Sequence, residues 1–218
     1  MAAQQAVEHA VEAAVKTTAR YPHMMSKLTL KNGTTLRNRV IMGSMHTGLE
    51  EAHGGRLEKM AAFYAARAKG GAGLIVTGGI APSREGWVAP FAAKLTTKGE
   101  AAMHREVTEA TQAEGGKIAM QILHSGRYGY HPLAVAPSPI KAPIGVFTPR
   151  ALDGAGVRRT IDDYARTTAL AAEAGYDGVE LMGSEGYLIN QFIASRTNKR
   201  SDEWGGSFEN RIRVRIES

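Results

Sequence analysis

From Leu28 onward, short apolar runs alternate with longer stretches whose apolar positions recur every three or four residues. Leu28-Thr29-Leu30 and Thr34-Thr35-Leu36 flank Lys31-Asn32-Gly33, and Asn-Gly supplies the positive φ angles of a tight turn, so the stretch predicts a hairpin. Val40-Ile41-Met42 then leads into Gly43-Ser44-Met45-His46. Between Arg56 and Lys69 the residues Leu57, Met60, Ala61, Tyr64, Ala65 and Ala68 fall at helical spacing. Gly70-Gly71 stops that helix. The unit recurs. Leu74-Ile75-Val76 reads as a strand ending in Thr77-Gly78-Gly79, followed by a helix over Glu100 to Glu114. Lys117 to Leu123 reads as a strand ending at His124, followed by a helix over Thr160 to Ala174. Gly178 to Leu181 is a fourth strand, ending in Gly183-Ser184-Glu185-Gly186-Tyr187, and a further helix begins near Phe208.

Strands alternating with helices imply parallel βαβ units, because a parallel crossover is long enough to hold a helix. A doubly wound sheet and half of an eight-stranded barrel both produce this order. The first turn carries a single glycine, in Gly43-Ser44-Met45-His46, and lacks the G-x-G-x-x-G of a dinucleotide-binding fold. The leading hairpin suits a plug over the bottom of a barrel. A complete (β/α)8 barrel takes about 250 residues, so four strands in roughly 180 residues amount to half of one. The expected fold class is therefore α/β, the first half of a TIM barrel with about four βα units after an N-terminal hairpin. Residues 1–20 form an N-terminal extension and residues 21–218 a truncated barrel domain. No cap or stop signal precedes Ser218, which suggests an incomplete record.

Composition narrows the function classes. Of 218 residues, 43% are apolar and 22% charged, as in an ordinary soluble domain. No apolar run approaches the ~20 residues that cross a bilayer. Cysteine is absent, so thiolate nucleophiles, cysteine-ligated zinc and iron–sulfur clusters are excluded within this stretch. The net charge of +6 is scattered, gathering only late in the chain at Arg196, Lys199, Arg200, Arg211, Arg213 and Arg215. Aromatics do not interleave with that cluster, which argues against nucleic acid as partner. A polyanionic small molecule such as a nucleotide or coenzyme A fits the charge. Residues 1–20 lack the apolar core of a secretory signal, and Glu8 and Glu12 sit poorly in a mitochondrial transit peptide. A cytoplasmic protein is expected, with a mitochondrial one the alternative were residues 1–20 to act as a transit peptide.

Barrel active sites lie at the carboxyl ends of the strands, where this chain places Ser44, Met45 and His46, then Thr77 to Gly79, then Gln121 and His124, then Glu185 and Tyr187. Each has a plain alternative. Gly78-Gly79 is usually a turn, although glycine also lets a flat ring approach the backbone. Gln121 suits a hydrogen-bonded core position, or offers a donor and an acceptor to a heterocycle edge. A lone histidine such as His46 or His124 is more often structural, and Tyr187 alone would be a packing aromatic.

In combination the motifs are specific. Gly43-Ser44-Met45-His46-Thr47-Gly48, Val76-Thr77 with Gly79, Gln121-Ile122-Leu123-His124-Ser125-Gly126-Arg127 and Met182-Gly183-Ser184-Glu185-Gly186-Tyr187-Leu188 occur in order. Arg196-Thr197-Asn198, Arg200-Ser201-Asp202, Trp204-Gly205-Gly206 and Asn210-Arg211 follow. From about Tyr21 to its end the chain resembles the old yellow enzyme superfamily and, within it, the bacterial-type NADPH-dependent 2,4-dienoyl-CoA reductases. The discriminating stretch is Met182 to Tyr187. Most relatives carry histidine at the positions of Met182 and Glu185, where those side chains hold a carbonyl substrate; here both are replaced.

The resemblance implies an FMN oxidoreductase that reduces 2,4-dienoyl-CoA in fatty acid β-oxidation. Ser44, Met45 and His46 would back the isoalloxazine, Gly79 would pass close to it, and Gln121 would bind its pyrimidine edge. Tyr187 would supply the proton, a phenol with an ordinary pKa near 10 being suited to a general acid. Arg196 would help hold the acyl-CoA substrate, with a loop-closing salt bridge the alternative. No metal ligands are expected in this stretch. The missing C-terminal part would hold FAD, a 4Fe–4S cluster and NADPH, and the isolated piece would bind FMN poorly and not turn over. The rivals are another enoate reductase or an amine dehydrogenase of the superfamily, or a non-catalytic fragment.

Overall fold

A computed structural model describes residue 5, residues 20–51 and residues 57–218. The extension over residues 1–20 lies outside the described residues apart from Gln5 and Arg20, as does Arg56, the expected first residue of the first long helix. A single turn, α1 (Pro22–Met25), precedes the hairpin. Its strands β1 (Leu28–Thr29) and β2 (Thr35–Leu36) pair antiparallel, Leu28 opposite Leu36. Gly33 takes a φ of +86°, the left-handed turn conformation that a side chain disfavours.

Four strands make the main sheet: β3 (Ile41–Met42), β4 (Leu74–Ile80), β5 (Lys117–Ile122) and, after a two-residue parallel pair β6 (Val135–Ala136) and β7 (Arg150–Ala151), β8 (Gly178–Leu181). They lie in the order β3-β4-β5-β8, each parallel to its neighbour. A doubly wound sheet reverses its strand order at a switch point. No reversal occurs here, and strand order follows chain order as in a barrel wall.

The crossover helices are α2 (Glu58–Lys69), α3 (Lys98–Ala113) and α4 (Gly154–Glu173). Side chains alternate across a strand. One face of the sheet therefore presents Ile75, Ile118, Met120 and Ile122 to Met60 and Tyr64 of α2, Val107 of α3 and Leu170 of α4, all buried in one core. The other face carries Gln121 and Glu180 and the half-exposed Ile41, none of which belongs to that core. The hairpin is tied to the amino-terminal ends of the strands by Arg37. Its guanidinium donates to the carbonyls of Ala68, Ala72 at 2.8 Å and Glu114 at 2.9 Å. These lie at the carboxyl ends of α2 and α3, where the helix dipole favours a cation.

Local chemistry explains where the observed boundaries differ from the pattern. α3 opens two residues before Glu100 because Thr97 and Glu100 form a capping box. α4 starts six residues before Thr160, capped by Asp153, whose carboxylate accepts from Gly156 N at 2.6 Å. Gly154 and Gly156, poor helix formers, hide that start. β4 runs on through Thr77-Gly78-Gly79, with a register shift against β5 between Val76 and Gly79. The glycine pair is thus a bulge inside a strand, not a turn after it. β6, β7 and the short helix α5 (Leu188–Ile193) carry no periodicity long enough to read. The final helix, α6 (Phe208–Glu217), is capped by Ser207. Leu188, Phe192, Trp204 and Val214 pack with Val157 of α4 into a second buried cluster. Among the described residues no helix is long and apolar enough to cross a membrane.

Candidate active site

The carboxyl ends of the four parallel strands surround one cavity of about 510 Å³, within the usual range for small-molecule sites. The loop after β3 contributes Ser44, Met45 and His46; β4 contributes Gly79; β5 contributes Gln121. β8 and the turn after it contribute Glu180, Met182, Glu185 and Tyr187. Six of the seven singled-out residues therefore share one cavity. Arg196 does not line it.

Gln121 is buried, and its Nε2 donates to Glu180 Oε1 at 2.7 Å. Its Oε1 takes no donor among the described residues and faces Gly79, where an added Cβ would stand 3.2 Å away. That same Cβ would lie 2.7 Å from Leu123 Cβ. Gly79 is glycine because this wall of the cavity is backbone against side chain with no room for a methyl group. Glu180 was not among the singled-out residues. Its signal is an ionisable side chain between Val179 and Leu181, which pack against the core, so it points to the opposite face.

Gly78 is clamped. Its N–H donates to the Tyr64 hydroxyl at 3.1 Å, and an added Cβ would collide with the Glu50 carboxylate and stand 2.9 Å from Met45 O. Glu50 is buried and accepts from Thr47 N at 3.2 Å and Thr47 Oγ1 at 2.9 Å. It fixes the turn that carries Met45 and His46 to the cavity. Burial pushes the Tyr64 phenol up to about 12, with the nearby Glu50 charge acting in the same direction. Sequence reasoning missed Glu50 as well, since nothing local marks it as buried.

Tyr187 sits half-buried with its ring edge against Tyr128, centroids 5.9 Å apart. Burial raises its pKa above the ordinary phenol value, and the negative charge of Glu185 and the phenol of Tyr128 add to the rise. The phenol therefore keeps its proton at neutral pH. Its preceding turn is unusual: Glu185 has φ +58° and Gly186 φ +82°. A non-glycine residue in the left-handed region carries strain, and such residues cluster at functional sites. The turn is held by Gly186 N donating to Asn190 Oδ1 at 3.1 Å and by Gln191 Nε2 donating to Gly186 O at 2.7 Å.

His124 plays a different part. It is wholly buried, and its Nδ1 accepts from Gly126 N at 3.1 Å, which requires a neutral ring. Burial pulls its pKa down to about 3. It does not line the cavity.

Arg196 lines a second cavity of about 390 Å³ with Arg127, Tyr128, Lys141 and Ile144. The remainder of the Arg196–Arg211 run forms a knot. Asn198 Nδ2 donates to Phe192 O and Trp204 O, each at 2.8 Å. Arg200 pairs with Asp202 and reaches Pro137 O at 3.1 Å, while Arg211 Nε donates to Ile193 O at 2.8 Å. Among the described residues no cluster of three or more acidic or histidine side chains is placed to hold a metal ion.

Parallel strands whose carboxyl ends ring a half-polar cavity define the class of (β/α)-barrel enzymes. Residues 23–218 match the model of the NADH:flavin oxidoreductase / NADH oxidase family. The chain belongs to this family, that of the old yellow enzymes. It is 40% identical over 186 residues to a metal reductase of Desulforamulus reducens, covering 84% of this chain and 28% of that protein. The old yellow enzyme homologue of Zymomonas mobilis superposes with a TM-score of 0.80 at 32% identity, over 90% of this chain and 58% of that one. A 2-naphthoyl-CoA reductase bound to 2-naphthoyl-CoA gives a TM-score of 0.83 at 26% identity, over 90% and 32%. The chain spans less than a third of the length of the first curated relatives it matches.

Proposed function

We propose that residues 21–218 are the first half of the FMN-binding barrel of an NADPH-dependent reductase whose substrate is an unsaturated acyl-CoA thioester, 2,4-dienoyl-CoA foremost. The observation that carries this reading is the company Tyr187 keeps. Met182 and Glu185 line the cavity beside it, at the two positions where the resemblance implies that most relatives place carbonyl-binding histidines. A thioether offers no proton to a substrate oxygen. The Glu185 carboxylate repels the free carboxylate of a simple enoic acid, whereas a thioester presents an uncharged carbonyl. The structural likeness to a reductase bound to an aryl-CoA thioester supports the same substrate class.

The residues present fit FMN. Gln121 has an amide oxygen without a donor among the described residues, suited to an N–H of the pyrimidine edge, and Gly79 leaves a flat approach that a Cβ would fill. Ser44, Met45 and His46 would back the ring. When bound, FMN supplies the hydride that the side chains of the protein cannot. Tyr187 holds the proton that balances it, for delivery to an inner carbon of the diene as charge moves toward the thioester oxygen. Arg196 would hold the coenzyme A portion. The strands that close the barrel, and the FAD, 4Fe–4S and NADPH sites, belong to the remainder of the full-length enzyme. The 218-residue piece alone would bind FMN poorly and not turn over.

The test is a substrate panel on full-length protein: 2,4-dienoyl-CoA, cyclohexenone and trimethylamine. Preferential reduction of dienoyl-CoA with NADPH is expected. Preference for cyclohexenone, or oxidation of trimethylamine, would replace this reading with an enoate reductase or an amine dehydrogenase.

A further inference from the structure

The amide of Gln121 has its direction set by its neighbours. Its Nε2 carries two hydrogens, and both have acceptors: Glu180 Oε1 at 2.7 Å and, more weakly, Met182 Sδ at 3.7 Å. A carboxylate and a thioether accept and do not donate, so the atom turned toward them is the nitrogen. The amide oxygen is left beside Gly79, which lines the active-site cavity, and takes no donor among the described residues. In sequence Gln121 offers a donor and an acceptor alike; in the fold it is the acceptor that is left for a ligand. Glu180 holds its place through the sheet register, which sets it directly opposite Gln121. Its flanking residues Val179 and Leu181 pack against the core, so its own side chain takes the cavity face. Among the described residues two carboxylates line this cavity, Glu180 and Glu185, and no lysine or arginine does.

We infer that Glu180 is a positioning residue for the flavin. Through Gln121 it turns a hydrogen-bond acceptor to the pyrimidine edge, and its charge disfavours the negative charge that this ring takes up on reduction. The inference rests on the flavin seat proposed above and is independent of the substrate. An acceptor selects an N–H of the edge over a carbonyl. Reduced flavin that has lost its N1 proton carries negative charge over the pyrimidine ring, and a fixed carboxylate nearby raises its free energy relative to the neutral oxidised form. The flavin potential is thereby lowered, and the reduced cofactor becomes a stronger hydride donor. An amide turned the other way, donating from Nε2 to a flavin carbonyl, would stabilise that same charge.

The experiment uses full-length enzyme with the variants Glu180→Gln, Glu180→Leu, Gln121→Leu and the double variant Gln121→Leu with Glu180→Leu. Two quantities are measured: the Kd of oxidised FMN and the midpoint potential of the bound flavin. Glu180→Gln keeps an acceptor for the Gln121 amide and removes the charge. It should leave the Kd at the wild-type value and shift the affinity ratio toward reduced flavin by about 10-fold, a rise of about 30 mV for two electrons. Glu180→Leu removes acceptor and charge together. It should raise the potential likewise and also weaken oxidised FMN by about 10-fold, because the Gln121 amide is released. In the Gln121→Leu background the change at Glu180 should add no further loss of oxidised FMN, since the residue it acts through is gone. A residue that merely propped the strand would weaken both redox states alike and leave the potential unmoved. Wild-type potentials in both Glu180 variants would therefore overturn the inference. If Gln121→Leu weakens FMN while neither Glu180 variant moves either readout, the flavin seat stands and the role of Glu180 falls. If Gln121→Leu also leaves the FMN Kd unmoved, the seat itself fails and the inference falls with it.

Discussion

Replacing Tyr187 with phenylalanine isolates one atom. The ring contact with Tyr128, edge-on at 5.9 Å, survives the change, and the hydroxyl has no hydrogen-bond partner among the described residues whose loss would unsettle the fold. Stability should therefore move by no more than about 0.5 kcal/mol, as for a substitution that breaks no buried contact. The chemistry should move far more. A positioned general acid contributes about 10²- to 10⁴-fold, or roughly 3–5 kcal/mol of barrier. Stopped-flow spectroscopy on full-length enzyme separates the two half-reactions. Reduction of the enzyme by NADPH should proceed at the wild-type rate, and reoxidation by dienoyl-CoA should slow by that factor. The pH profile gives a second signature. Because burial and Glu185 raise the Tyr187 pKa, the wild-type rate should hold past the ordinary phenol value before falling, and the variant should lack that alkaline limb. Reoxidation of Tyr187→Phe at the wild-type rate would refute the proton-donor role.

Other expectations follow from the same geometry. Gly79→Ala places a carbon 2.7 Å from Leu123 Cβ, where overpacking costs about 1–3 kcal/mol; thermal melts and flavin content should both fall, and a variant unchanged in both would remove Gly79 from the cavity floor. Gln121→Leu strips Glu180 of its amide donor and the cavity of an acceptor, so flavin should dissociate more readily, and unchanged flavin retention would remove that assignment. His124 and His104 are buried neutral, burial pulling them to about 3 and about 4, with Glu100 opposing the fall at His104. The unfolded chain protonates both near pH 6.5 while the folded chain does not, so their contribution is complete above that pH and is lost as pH falls toward 4, by up to about 1.4 kcal/mol per pH unit for each. Urea midpoints measured between pH 7.5 and pH 5 should drop accordingly, and a flat series would contradict the neutral assignment.

Patterning alone was enough for the β/α alternation, for the hairpin at Asn32-Gly33 and for the succession of strand ends. These depend on local spacing and on backbone preferences that each residue carries with it. The strand-end rule reaches seven residues of the active-site cavity: Ser44, Met45, His46, Gly79, Gln121, Glu185 and Tyr187. Three features depended on the assembled fold. Gly78-Gly79 reads as a turn in isolation and becomes a strand bulge only because β5 pairs alongside it. Glu50 and Glu180 look like surface carboxylates; Glu50 is packed against Gly78 of β4, and Glu180 meets Gln121 through the pairing of β5 with β8. Arg196 is the converse. Its motif associates it with the substrate, but its position in a second cavity with Arg127 and Lys141, 69 and 55 residues earlier in the chain, follows from the packing together of the loops after β5, β6 and α5. Periodicity reports which face of an element is buried. Which charges end as neighbours is decided by packing between elements distant in the chain, and spacing carries no record of that.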